Sequence, residues 1–238
     1  MANHPGMTRL LTAVLLGIGA VALGVNASGG RRFPTRTVES DIFEFDPDSG
    51  TILWKETGDS EPFFLTIHGM VEETVKLGYR ELVGLPATTQ VVDFHCVEGW
   101  TIPDVSWTGL RFEVLLALVT PLPGADYVTF HALGETRAKP MDQGWYRESF
   151  RLSDLLDPGQ RILLASHMDG EPLSKQRGAP LRVIAPLRLA YKSIKFVHRI
   201  EFTDTMNPGW WTLANPVYDI DANVPSPRLR PRPGTDDA

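Results

Sequence analysis

Cysteine is all but absent from this chain: among 238 residues there is one, Cys96. A single thiol excludes an internal disulfide. It also cannot supply the several thiolates of a structural zinc site or an iron–sulfur cluster. A Cys-x-x-Cys-His haem-attachment string and a Gly-x-Gly-x-x-Gly nucleotide fingerprint are missing too. There is no excess of positive charge. Lys and Arg number 23 against 29 Asp and Glu, a net charge of −6, which argues against nucleic acid as a partner. An apolar run of spanning length is lacking as well. Leu10 to Val25 carries no charge, but it is shorter than the ~20 residues a membrane-crossing helix needs. With Arg9 before it and Val25-Asn26-Ala27 after it, the run makes residues 1–27 a signal peptide or a membrane anchor. Arg31, Arg32 and Arg36 follow the run, so charge bias taken literally would keep the domain inside. The shortness of the run favours export, to the periplasm or another extracytoplasmic space.

What is present is an ordinary globular composition, 42% hydrophobic and 22% charged, enough for one sizeable core. The 21 glycines and 19 prolines favour short strands and many turns over long helices. Residues 28–60 read as a linker and lead-in, 61–205 as the folded domain, 206–225 as a lid-like segment and 226–238 as a disordered tail. Phe63–Gly69, Gln90–His95, Asp126–His131, Arg161–Ser166, Leu181–Ile184 and Lys195–Thr203 read as strands. In the last, alternation sets Phe196, His198, Ile200 and Phe202 on one face and Val197, Arg199 and Glu201 on the other. Gly78–Leu85 reads as a short helix or turn. Trp107-Thr108-Gly109 reads as the opening of another, with Leu110, Val114, Leu115 and Leu118 on one side.

Cys96 ends the strand Gln90–His95, within Phe94-His95-Cys96-Val97-Glu98-Gly99-Trp100. Two readings stand. It is a buried small hydrophobe, as free cysteines often are. Otherwise it is a lone thiolate, either a nucleophile or one protein ligand to a cofactor that brings its own donors. His95 and Glu98 beside it are candidates for proton handling, and His131 for the site mouth. His95 is set by alternation on the face opposite Cys96. Trp210-Trp211 could cover a pocket.

Three strings, in order and spacing, resemble the sulfite oxidase family, with the nearest pattern in its bacterial methionine-sulfoxide reductase branch. They are His95-Cys96-Val97-Glu98-Gly99-Trp100 with Trp107-Thr108-Gly109; Leu163-Leu164-Ala165 through Met168-Asp169-Gly170-Glu171-Pro172-Leu173; and Arg177-Gly178-Ala179-Pro180-Leu181-Arg182-Val183 leading to Lys192-Ser193-Ile194-Lys195. The resemblance implies a single-domain, strand-rich α+β fold around one molybdenum–pyranopterin (molybdopterin) cofactor. That cofactor brings two dithiolene sulfurs, so the protein need add only one thiolate, which suits a count of one cysteine. The resemblance makes Cys96 the molybdenum ligand. It gives the cofactor phosphate to Arg182 and Lys195, with Ser193, Ile194 and Arg177 completing the cradle. Asp169 stands where the family has asparagine. It can accept the same hydrogen bonds but not donate, and it brings negative charge.

The activity implied is oxygen-atom transfer. No arginine follows Cys96 before Arg111, so reduction of a neutral S-oxide or N-oxide, small or protein-bound, is favoured over oxidation of dianionic sulfite. The alternatives are sulfite oxidation on the same scaffold and an exported binding domain that has lost the cofactor. Electrons must pass through a separate partner, such as a membrane haem protein. Exported members of the family carry twin arginines ahead of the apolar run, where this chain has Arg9 alone. No dimerisation domain follows residue 205, which implies a monomer.

Overall fold

The computed structural model describes residues 42–230. Thirteen strands are formed among them: β1 (Phe43–Asp46), β2 (Thr51–Trp54), β3 (Ser60–Pro62), β4 (Phe64–Gly69), β5 (Val75–Gly78), β6 (Thr88–His95), β7 (Thr101–Arg111), β8 (Tyr127–Ala132), β9 (Arg147–Arg151), β10 (Leu163–Met168), β11 (Glu171–Pro172), β12 (Arg182–Ile184) and β13 (Val197–Thr203). Four one-turn helices join them: α1 (Tyr79–Val83), α2 (Phe112–Leu116), α3 (Leu152–Leu156) and α4 (Trp210–Ala214). None is long and apolar enough to cross a membrane. The segment Leu10–Val25 lies outside the described residues.

The strands form three sheets. One has the order β1-β2-β3. The second runs β11-β10-β7-β6, with β12 also on β10. The third runs β5-β4-β13-β8-β9. Pairing is antiparallel except between β13 and β4. One apolar cluster draws on all three, with Phe43, Leu65, Ile67, Leu110, Phe112, Phe130, Val183, Ile200 and Phe202 each at most 5% exposed. Burying one such side chain contributes about 1.5–3 kcal/mol.

Several expectations need correction. Residues 43–60, expected as part of the lead-in, belong to the three-stranded sheet that ends at Pro62. Phe43 and Ile52 are sealed in the core, and the Phe43 ring meets that of Phe196 edge-on. Trp107-Thr108-Gly109 does not open a helix. It lies within β7, and the helix begins only at Phe112. The reason is contact on both sides: Thr108 and Gly109 pair with Thr89 and Thr88 of β6, and Gly109 with Ala165 of β10. A side chain at Gly109 would overlap the backbone of Leu164 and Ala165. The alternation of the last strand also breaks. Phe196 takes φ +63, and a bulge falls between Val197 and Arg199, so Val197, Ile200 and Phe202 face the core together.

The C-terminal region is more ordered than expected. In α4, Trp210 is buried against Tyr146 and donates from Nε1 to Thr136 Oγ1 at 3.3 Å. Ser226–Arg228, expected as disordered tail, forms a turn of 3₁₀ helix. Residues 231–238 lie outside the described part.

Candidate active site

The Cys96 loop is a tight connection between β6 and β7, whose last register pair is His95 with Thr101. The Cys96 N–H donates to Trp100 O at 3.0 Å, and the Gly99 N–H donates to Cys96 O at 3.1 Å. Gly99 takes φ +93, a conformation glycine enters without steric penalty. This delivers Cys96 half-buried. Glu98 accepts from Trp100 Nε1 at 3.2 Å, which supports a turn-holding role. His95 is buried, with Nδ1 2.9 Å from Thr101 Oγ1, and burial pushes its imidazole below the ordinary value. Among the described residues, no group of three or more His, Cys, Asp or Glu side chains could hold a metal ion. One thiolate is therefore what this loop offers, a donor set suited to a soft metal whose other ligands arrive with a cofactor.

Arg177, Arg182 and Lys195 come together. Arg182 opens β12 and is 3% exposed. Its Nη1 donates to Arg177 O and its Nη2 to Ser193 O, both at 3.0 Å, while its buried Nε meets no acceptor. The guanidinium lies 5.2 Å from the ring centroid of Phe94 and 5.1 Å from that of Trp107. Phe94 is two residues before Cys96, so this cation sits beside the strand that delivers the thiol. Lys195 donates from Nζ to Gln176 O at 2.7 Å. Burial, then Arg182 and Arg177, push its amine down to about 7. Burial, then Arg177, push Arg182 down to about 9. Arg177 is lowered as well, by burial, with Asp169 opposing. Arg177 thus depresses both Arg182 and Lys195, and Arg182 depresses Lys195. Arg182 in particular is stacked on rings and bonded to carbonyls rather than carboxylates, which is costly for a buried charge.

Local backbone explains the convergence. Gly178 takes φ +106, and a Cβ there would press on Lys195 Cβ and Cγ at 2.9 and 2.8 Å. Only glycine lets the Arg177 turn lie against Lys195. Ser193 is buried, and its Oγ accepts from the Ala185 N–H at 3.2 Å. Ile194 is buried, and its carbonyl accepts from the Val183 N–H at 2.9 Å. These two residues shape the cradle by holding β12 in place. Asp169 sits in the β10–β11 turn at φ +51. Its N–H donates to Ser106 O at 2.8 Å, and its Oδ1 accepts from Ser106 N–H at 3.3 Å.

Other candidates separate from this group. His131 belongs to β8 of the other large sheet. Trp145 Nε1, which can only donate, points at its Nδ1 at 3.0 Å, so its proton is on Nε2 and is given to Glu201 at 2.8 Å. Arg111 is at the far end of β7 from the Cys96 loop, 3.3 Å from Gln90 Oε1. The sequence reading missed three residues. Phe94 and Trp107 were legible as apolar positions flanking the motif, but not as the floor beneath Arg182. Arg228 reaches the Cys96 loop from 132 residues away, and no local pattern announces it.

Comparison with known proteins bears on this arrangement. The family model of the oxidoreductase molybdopterin binding domain matches residues 53–211. The protein-methionine-sulfoxide reductase catalytic subunit MsrP of Gluconobacter oxydans is 34% identical over 172 residues, 68% of this chain and 54% of that protein. MsrP of Ralstonia nicotianae is 30% identical over 200 residues, 81% of this chain and 60% of that protein. The chain therefore spans between half and two thirds of the length of these relatives. The crystal structure of the sulfane dehydrogenase SoxCD from Paracoccus pantotrophus superposes with a TM-score of 0.53 at 18% identity, over 84% of this chain and 60% of that one. That likeness shows the strand-rich mixed fold. The cluster of Arg177, Arg182 and Lys195 fits the phosphate of a molybdopterin, since three cationic side chains converge there and the Arg182 guanidinium is buried against carbonyls and aromatic rings.

Proposed function

Because this chain belongs to the oxidoreductase molybdopterin-binding domain family, we propose that it is a molybdenum-cofactor enzyme that reduces a neutral S-oxide or N-oxide. The observation that carries the reading is the cation cluster beside the Cys96 strand. Arg182 is buried without an anion, and Lys195 is lowered to about 7, first by burial and then by Arg182 and Arg177. A phosphate monoester placed among them relieves that repulsion and accepts from their donors.

In this reading Cys96 is the protein's one metal ligand, presented by a loop with its own amide and carbonyl hydrogen bonds. Arg182, Arg177 and Lys195 hold the phosphate, while Ser193 and Ile194 hold the strand that carries Arg182. Asp169 moderates Arg177 and anchors the turn against Ser106. When bound, the cofactor supplies two-electron oxygen-atom transfer. A neutral oxide is favoured because Arg111, the arginine nearest after Cys96 in sequence, lies at the opposite end of β7. Arg228 is close, but two of its nitrogens are engaged by carbonyls and a hydroxyl. Electrons come from a separate donor protein, and the apolar run Leu10–Val25 supports export.

The test is molybdenum content of the protein purified from a cofactor-competent host, beside Cys96→Ala. Near-stoichiometric metal in the parent, with an electron-resonance signal altered or lost in the variant, supports the reading. Well-folded protein without metal in both would replace it with a cofactor-free binding domain.

A further inference from the structure

The Cys96 loop is held from the C-terminal end of the described chain. Arg228, closing the turn Ser226–Arg228, donates from Nη1 to Cys96 O at 2.9 Å, and from Nη2 to Trp100 O at 2.7 Å and Thr101 Oγ1 at 3.1 Å. The two carbonyls are those that close the loop itself, since Trp100 O accepts the Cys96 N–H and Cys96 O accepts the Gly99 N–H. Two residues on, Arg230 bonds to Asp93 of β6 and to Asp104 of β7. A single short segment therefore ties down the strand entering the loop, the strand leaving it and the loop itself. This segment lies outside residues 53–211, the part the family model matches.

We propose that Arg228 is a positioning residue for Cys96, and that Ser226–Arg230 is a strap that sets where the thiolate stands. The proposal rests on the reading of Cys96 as the metal's protein ligand. A planar guanidinium has its donors in fixed relative directions, so bonding two carbonyls at once fixes the spacing between them. Here those carbonyls belong to the first and last residues of the five-residue loop, and their separation determines the path of the backbone at Cys96. The loop needs such a brace at its tip. Gly99 has no atom within 4 Å of where a Cβ would stand, so packing does not wedge it.

Arg228→Gln and Arg228→Lys test this in the full chain, beside the parent. Cys96 is the sole cysteine, so alkylation by iodoacetamide reads this site alone. In cofactor-free protein, Arg228→Gln is expected to raise the exchange rate of the Cys96 and Gly99 amides by about tenfold, the loss of one charge-assisted hydrogen bond. Alkylation is expected to accelerate with it. Arg228→Lys, which can reach one carbonyl but not fork across two, is expected to fall between. In loaded protein, the molybdenum(V) electron-resonance signal is expected to broaden in Arg228→Gln and to sharpen partly in Arg228→Lys. If Arg228→Gln fails to fold, Arg228→Lys carries the comparison. Parental exchange and alkylation rates in the folded variants would overturn the strap. A loosened loop with metal content and signal indifferent to both Arg228→Gln and Cys96→Ala would overturn the positioning role through its premise, since Cys96 would then not be the ligand.

Discussion

The Arg182 guanidinium carbon stands over the Trp107 ring, 5.1 Å from its centroid, and over that of Phe94 at 5.2 Å. Trp107 is fully buried and Arg182 nearly so. A cation in this position gains attraction from ring faces, yet it has been moved out of water without an anion. The prediction is an opposition of stability and binding. Arg182→Met should lose at least about tenfold in cofactor retention, because one of the cations proposed to hold the phosphate is removed. The cofactor-free variant should lose little stability relative to the cofactor-free parent, because release of the uncompensated charge offsets the two carbonyl hydrogen bonds given up. Molybdenum content and thermal unfolding of the two apo proteins check this, and a large loss of apo stability in Arg182→Met would contradict it.

Lys195 gives the cradle a pH dependence. Its folded value is about 7 against an ordinary 10.5, lowered first by burial and then by Arg182 and Arg177. Between these values the unfolded chain binds the extra proton. The cofactor-free protein should therefore gain stability as pH rises from about 7 toward 10.5. Phosphate binding favours the charged amine and draws a proton in, so cofactor affinity should fall over the same range. Lys195→Arg stays charged throughout and should flatten both trends. Melting temperature at pH 7 and pH 9, with and without cofactor, distinguishes the two proteins.

Local patterns revealed the strand carrying Cys96, because β-branched and aromatic residues run up to a glycine turn there. The Arg177–Lys195 stretch was singled out by resemblance to a family rather than by local pattern, since arginines and lysines alone read as surface charge. Local patterns did not reveal that Trp107-Thr108-Gly109 is strand. Of Leu110, Val114, Leu115 and Leu118 only the middle two lie in α2: Leu110 is still in β7, Leu118 follows the end of the helix at Leu116, and pairing with β6 and β10 carries the strand on to Arg111. Alternation failed at Phe196 for a related reason. A bulge shifts the phase by one, and periodicity alone cannot place a bulge. The sheet formed by residues 43–62 was hidden by its turns, Gly50 and Gly58 at positive φ, which give the segment a linker-like composition. Arg228 was unreadable because its meaning is a contact across 132 residues.

Gly109 is where the helix expectation and the strand part company experimentally. A Cβ there meets Leu164 O and Ala165 Cα on the neighbouring strand, and neither is a flexible side-chain end. In a helix, Gly→Ala would stabilise by about 1 kcal/mol. In β7 it should push β10 away and destabilise by roughly 1–3 kcal/mol. Urea unfolding of Gly109→Ala decides between the signs. The same change should lower cofactor retention, since β10 carries β12 and with it Arg182.

His131 and His198 should set the acid limit of stability. Burial, with Arg199 adding to it, holds each imidazole at about 4, below the ordinary 6.5, and for His131 the hydrogen bond to Glu201 only partly offsets this. A histidine with a depressed folded value is neutral in the native state and charged in the unfolded one between about 4 and 6.5. Stability is thus complete above 6.5 and declines as pH falls toward 4. For His131, which is 3% exposed, the loss amounts to roughly 3 kcal/mol over that window. Its tautomer makes the effect specific, because Trp145 can only donate to Nδ1 and so blocks a second proton there. His131→Gln should lower stability at pH 7, by removing the bond to Glu201 from a buried site, yet shrink the decline between pH 6.5 and 4.5. Chemical denaturation of parent and variant at those two values measures both effects, and an equal slope in the two proteins would place the acid sensitivity elsewhere.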